Sequence, residues 1–192
     1  MTIHIRPATD ADSASLSTLA ATTFRETFEH ENTPEDMARY LAETFTPDRL
    51  AAEIGDPAGA ILLAEHCGTS GDARGDAELV GYAHLVGGPA PAAVRGPRPL
   101  ELKRLYVARA WHGRRVAQAL MDAIIHAARD RGAGTLWLGV WERNPRAVAF
   151  YAKYGFRRVG EHTFVLGGDA QTDWLLAVSL ETAARSIRLG AE

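Results

Sequence analysis

The sequence predicts a single α/β domain on a mixed, mostly antiparallel twisted sheet with helices on both faces. Two observations carry this prediction. Period-2 alternation and helical spacing interleave along the chain in the order βααα-ββ-βαβα-ββ, with no internal repeat. The 192 residues suit one domain able to bury about 70% of its unfolded surface without a metal or disulfide staple. Residues 1–180 are read as that domain and 181–192 as a C-terminal tail.

Each element has a local cause. IHIR (3–6) alternates as a short strand. Thr9 and Asp12 stand three apart in a capping arrangement, and Leu16, Leu19, Ala20, Thr23, Phe24 and Phe28 follow at helical spacing. Thr33-Pro34 and Thr46-Pro47 each place proline at the first position of a further helix. The strands AILLAEH (60–66) and AELVGYAHLV (77–86) flank GTSGDARGD, which reads as a hairpin connection. Residues 87–99 hold four of the nine prolines and read as an exposed loop within the domain. Beyond it come a strand (99–107), a helix with apolar spacing within 113–131, a strand (135–142) and a short helix (144–156). That helix ends at Gly155, and two strands close the domain.

Composition excludes several classes. The apolar fraction of 46% and charged fraction of 23% are those of a globular protein, not a disordered tail or collagen. Cys67 is the one cysteine, so neither an internal disulfide nor a CxxC zinc site can form, and the histidines show no metal spacing. No apolar run approaches a signal core or the roughly 20 residues that span a bilayer. The expectation is a cytoplasmic chain, monomer or homodimer, with no membrane, nucleic-acid or metal partner. Charge is uneven: −8 over residues 1–100, +5 over 101–192, and +9 within 103–158. A basic second half suits an anion and an acidic first half suits a cation, although solvated faces of opposite sign would look the same.

The sharpest local feature is strand–turn–helix: LKRLYV (102–107), then His112-Gly113-Arg114-Arg115-Val116-Ala117 at a helix entrance. Backbone N–H groups at such an entrance seat anions. Together with ALM (119–121), GVWERN (139–144) and AFYAKYGF (149–156), this run resembles the GNAT acyl-CoA N-acyltransferase superfamily. TFRETFEHENTPEDMARYL, GVWERN and GEHTFVLGGDAQTD (160–173) further resemble the PaiA-type spermidine/spermine acetyltransferase subgroup, so nearly the whole chain is covered.

The resemblance implies a GNAT-type domain using acetyl-CoA. Leu105, Tyr106 and Val107 would bond the pantetheine arm and offer an N–H to the thioester oxygen. His112, Gly113, Arg114, Arg115, Val116 and Ala117 would hold the pyrophosphate, and Asn144 would cap the last helix and reach the pantetheine. Tyr151 would protonate the leaving thiolate, although by spacing alone it is another core aromatic beside Phe150 and Tyr154. Glu101 is the first candidate base and Glu142 its competitor; either could instead be a rim charge. Arg115 stands where the family usually has glycine, tolerable with a helical φ and a misfit with a positive one. His162 and Asp173 would line the acceptor cleft or brace the last hairpin. Phe24, Phe28 and Tyr40 would wall the acceptor site or pack in the core.

The function implied is acetyl transfer from acetyl-CoA to a primary amine by direct attack in a ternary complex. A polyamine or diamine comes first, because residues 22–56 carry nine carboxylates against three arginines. The alternatives are a peptide N-terminus, another amine metabolite, or a non-catalytic acyl-CoA sensor.

Overall fold

The computed structural model describes residues 2–67, 77–166 and 169–181. The elements are β1 (Thr2–Pro7), α1 (Ser13–Phe28), α2 (Pro34–Thr44), α3 (Pro47–Ile54), β2 (Ala60–Cys67), β3 (Ala77–Val86) and β4 (Pro99–Val107). Then follow α4 (Val116–Asp130), β5 (Thr135–Trp141), α5 (Pro145–Lys153), β6 (Arg157–Leu166) and β7 (Asp169–Ser179). Hydrogen bonds order the strands β1-β2-β3-β4-β5-β7-β6, with β4–β5 parallel and β1–β2, β2–β3, β5–β7 and β6–β7 antiparallel. The fold is the mostly antiparallel α/β sheet expected. The connection GTSGDARGD, the Gly167-Gly168 pair and the tail beyond residue 181 lie outside the described residues.

The caps read from the sequence form. Thr33 Oγ1 accepts from Asp36 N at 3.2 Å, and Thr46 Oγ1 accepts from Arg49 N at 3.3 Å. Thr9 N donates to Asp12 Oδ2 at 2.7 Å and opens a 3₁₀ turn, Asp10–Asp12, that runs into α1. One boundary differs. The helix expected within 113–131 begins at Val116, its first apolar position, because Gly113 and Arg115 take positive φ of 78° and 63°.

Two compact units emerge. The first comprises Met1–Leu85 and Arg104–Ile124. Its core holds Leu16, Ala20, Leu50, Leu63 and Tyr82, all fully buried. Both faces of its sheet are covered. Tyr106 lies beside Phe24 of α1, while Val107 and Leu120 of α4 crowd the opposite face at Gly81. A Cβ on Gly81 would stand 2.9 Å from the Tyr106 carbonyl oxygen, so glycine is what lets β4 approach. Arg6 on β1 bonds Asp12 at 2.7 Å and Glu65 of β2 at 2.6 Å. Its guanidinium holds the Asp12 carboxyl well below the usual carboxylate range.

The second unit comprises Val86–Lys103 and Ile125–Glu192. β5, β7 and β6 form one long ladder, with Leu136, Leu138 and Leu175 nearly inaccessible. The proline-rich segment is a cover for this sheet: Val94 packs on Trp137 and Leu175, with Ala90 and Ala93 beside them. Gly96 sits at φ 138°, and a Cβ there would meet Thr135 Oγ1 at 2.2 Å. Gly96→Ala therefore adds a clash to a backbone conformation side chains avoid, costing about 2–4 kcal/mol. The expected fall in Tm is roughly 5–15 °C, read by calorimetry. Gly113→Ala, whose added methyl meets nothing within 4 Å, should cost only about 1 kcal/mol. Equal losses at the two positions would refute this account.

Candidate active site

The anion-seat residues belong to the first unit. The parallel β4–β5 ladder has three residue pairs, ending at Glu101–Trp137, and Leu105–Val107 lie on the stretch of β4 beyond it. The chain leaves β4 through Ala108, whose N–H donates to the Val80 oxygen at 2.9 Å, and a 3₁₀ turn at Arg109–Trp111. Trp111 is buried and its Nε1 donates to Glu78 at 3.4 Å; Arg114 lies over its ring, 5.1 Å from the centroid. His112 folds back so that its Nε2 donates to the Val107 oxygen at 2.9 Å. The imidazole thus ties the turn to the end of β4 and carries its proton on Nε2.

Helix α4 opens behind Arg115, whose carbonyl accepts from Ala119 N at 3.0 Å. A guanidinium can only donate, so Arg115 cannot cap this helix as Thr33 and Thr46 cap theirs. His112 through Arg115 are exposed. A helix entrance rich in donors, with arginines on the same turn, matches the demands of a diphosphate. The residues present fit the group. The exception is local: Arg115 has the positive φ that marks a misfit, not the helical conformation that would tolerate it.

The remaining candidates belong to the second unit. Asn144 caps α5, its Oδ1 accepting from Ala147 N at 3.0 Å. Tyr151 is buried against Phe150 and Phe156, with ring centroids at 5.4 and 5.6 Å. Burial pushes its phenol above the usual value of 10, so it stays a proton donor across neutral pH. Glu142 is exposed at the end of β5, and its N–H donates to the Thr172 oxygen at 3.1 Å. Glu101 is half-buried; by alternation it faces away from buried Leu102 and Arg104. His162 and Asp173 stand opposite each other on β6 and β7, Nε2 to Oδ2 3.8 Å apart.

Two clusters in the first unit complete the inventory. Phe24 packs against Phe28 and Tyr40 at 4.6 Å and Phe45 at 5.5 Å, so the rings proposed as core or acceptor wall form one group. Phe28, Tyr40 and Tyr106 remain half-exposed at its margin. Sequence reasoning missed the second cluster. Buried Arg104 bonds Glu53 at 2.5 Å, lies 3.5 Å from His84 Nδ1, and covers the Phe45 ring at 5.1 Å. The signal was present: Arg104 alternates in phase with Leu102 and Tyr106, on the inward face of LKRLYV.

With this geometry in place, the comparisons decide the family. The model of the acetyltransferase (GNAT) family matches residues 15–156. The chain belongs to the GNAT acetyltransferase family. It is 34% identical over 178 residues to a Lactobacillus delbrueckii subsp. lactis protein named an uncharacterized N-acetyltransferase in the pepI 3′ region, covering 93% of this chain and 98% of that one. An uncharacterized N-acetyltransferase of Mycobacterium tuberculosis is 37% identical over 172 residues, 90% of this chain and 99% of the other. Among solved structures, the fold is similar to PaiA N-acetyltransferase from Thermoplasma acidophilum in complex with coenzyme A. The TM-score is 0.70 at 20% identity, covering 93% and 99% of the two chains. This GNAT protein is an acetyl-CoA-dependent N-acetyltransferase.

Restoring the usual glycine of the GNAT turn separates conformation from charge. Arg115→Gly should relieve about 1 kcal/mol of left-handed strain and raise Tm by roughly 2–4 °C. It also removes an exposed cation from the turn expected to hold the diphosphate. Acetyl-CoA affinity should then change by less than about tenfold, with a flatter salt dependence. Calorimetric titration at two salt concentrations reads both. Tightening far beyond tenfold would instead identify the native side chain as an obstruction.

Proposed function

We propose that this chain acetylates a primary amine, with a polyamine or diamine as the acceptor class. The observation that carries the acceptor assignment is the aromatic cluster of α1, α2 and β4. Its partly exposed rings at Phe28 and Tyr40 border a segment rich in carboxylates, an acidic and aromatic margin of the kind that suits a cation. Not all of that negative charge is idle: Asp36 pairs with Arg39, and Glu53 with Arg104. Membership of the family, the aromatic margin and the acidic excess support the same reading.

Acetyl-CoA supplies an activated thioester when bound. The residues proposed to hold it are Leu105, Tyr106 and Val107 along β4, and His112, Gly113, Arg114, Arg115, Val116 and Ala117 at the turn, with Asn144 at the pantetheine. A backbone N–H of β4 aimed at the developing oxyanion contributes about 3 kcal/mol. Tyr151, protonated at neutral pH, would give its proton to the departing sulfur, although burial makes it a weaker acid than a free phenol. Taking an ammonium of pKa near 10.4 to its neutral form at pH 7 costs about 4–5 kcal/mol, so a base is needed. Glu101 and Glu142 are the carboxylate candidates for it.

The function is tested by titrating released thiol with acetyl-CoA and putrescine, spermidine or an N-terminal peptide. Faster turnover of the diamine and polyamine supports the reading; preference for the peptide overturns the acceptor class. Tyr151→Phe should lower kcat by about 10²-fold or more with acetyl-CoA affinity nearly intact. An unchanged kcat removes Tyr151 from the acid role. If Glu101 or Glu142 is the base, its Gln variant loses the acidic limb of the pH–rate profile. Retention of that limb in both variants excludes the two carboxylates.

A further inference from the structure

On one face of the second unit's sheet, the proline-rich cover stops and polar chemistry begins. Trp137, Leu175 and Ala177 are roofed by Ala90, Ala93 and Val94. Next along β5 on the same face is Gly139, exposed although its neighbours Leu138 and Val140 are buried. A Cβ at Gly139 would stand 2.9 Å from His162 Nε2 and 3.4 Å from Asp173 Oδ2. The missing side chain is what lets both groups lean over the strand. The arrangement is a bare backbone floor with an imidazole and a carboxylate converging above it.

The spacing of the pair is informative. At 3.8 Å, His162 Nε2 and Asp173 Oδ2 are too far apart for a direct hydrogen bond. One nitrogen lying about 2.8 Å from each would bridge them. The side chains differ in exposure, 43% for His162 and 14% for Asp173. The carboxylate is thus largely withdrawn from water while the ring reaches it. Glu161 pairs with Arg158 at 2.6 Å, and Arg158 covers Trp174 on the opposite face; on the same face the register places Glu101 beside Trp137, with Lys103 next in phase along β4.

We propose that His162 and Asp173 form the amine seat over Gly139, with Asp173 holding the acceptor's ammonium and His162 taking its proton. This rests on the amine-acetyltransferase reading above and names its base. In the step, one N–H bond of the ammonium breaks and its proton bonds Nε2. The amine keeps the electron pair it needs for attack, and the new imidazolium charge lies beside the Asp173 carboxylate. Imidazole as a class exchanges protons near neutral pH, where a carboxylic acid as a class is already ionised. Burial raises the Asp173 carboxyl above its ordinary value, opposed by His162, so a carboxylate here gains by pairing with a cation.

The experiment uses the full chain, acetyl-CoA and spermidine. His162→Gln should lower kcat/KM for spermidine by about 10²-fold and remove the acidic limb of the pH–rate profile. KM for acetyl-CoA and Tm should stay near wild type. Asp173→Asn should chiefly raise the spermidine KM. Gly139→Ala, whose methyl displaces the ring, should raise that KM too. A His162→Gln variant that keeps both its rate within about threefold and its acidic limb overturns the proposal. Should the native chain release no thiol with any amine, the transferase reading fails. The seat is then judged by NMR: spermidine must shift the His162 ring signals, and unmoved signals refute it.

Discussion

The first N–H groups of every helix need acceptors, and the way each helix meets that need shapes the rest of this molecule. Thr33, Thr46 and Asn144 meet it for α2, α3 and α5 with their own side chains. At α4 the residue before the helix is Arg115, whose guanidinium can only donate. The surroundings hold that donor-rich end in place. His112 is tied to the Val107 oxygen, Arg114 to the Trp111 ring, and Trp111 to Glu78. Gly81 allows β4 to lie close enough for Val107 and Leu120 to meet there. That packing fixes the helix entrance at which the diphosphate of acetyl-CoA is proposed to sit.

Burial governs the proton chemistry in the same way. Tyr151 and Tyr82 are both buried phenols, and burial raises both above the usual value. Their settings differ. Tyr82 has a hydroxyl with no hydrogen-bond partner, stacks on Tyr106 at 5.9 Å, and sits among Arg104 and Glu53. That cluster joins α3, β3 and β4 by charge and stacking in a region where an isolated charge would be costly. It gives β4 a fixed inner face, leaving the backbone of Leu105–Val107 as an ordered edge.

The fold was legible because its signals are local. Threonine–proline pairs, period-2 runs and Gly155 each act within a few residues, and the strands and helices fall where those signals put them. The backbone before α4 was not, since the positive φ of Arg115 depends on its surroundings and not on a preference of arginine. Of the proposed site, the turn 112–117, Asn144 and Tyr151 were singled out through a family pattern. Arg104 was overlooked because a basic residue in a strand reads as exposed until its phase with Leu102 is counted. The pairing of His162 with Asp173 was foreseen, but not the contribution of Gly139. A glycine's role lies in what a neighbouring strand places above it, and sequence does not show that.

The acceptor side divides into attraction and deprotonation, and the two need different surroundings. Attraction works through water: exposed carboxylates and ring margins draw in a polycation at a gain of about 0.5–1 kcal/mol per contact. Deprotonation must overcome about 4–5 kcal/mol, several such contacts' worth. A largely withdrawn carboxylate with an exposed imidazole beside it is suited to that second task. In the proposed seat Asp173 would lower the cost of the imidazolium, and Gly139 leaves His162 Nε2 the room that a methyl, 2.9 Å away, would take. Proton removal in that seat is therefore the task of the His162–Asp173 pair, and attraction through water is a separate, salt-screened effect.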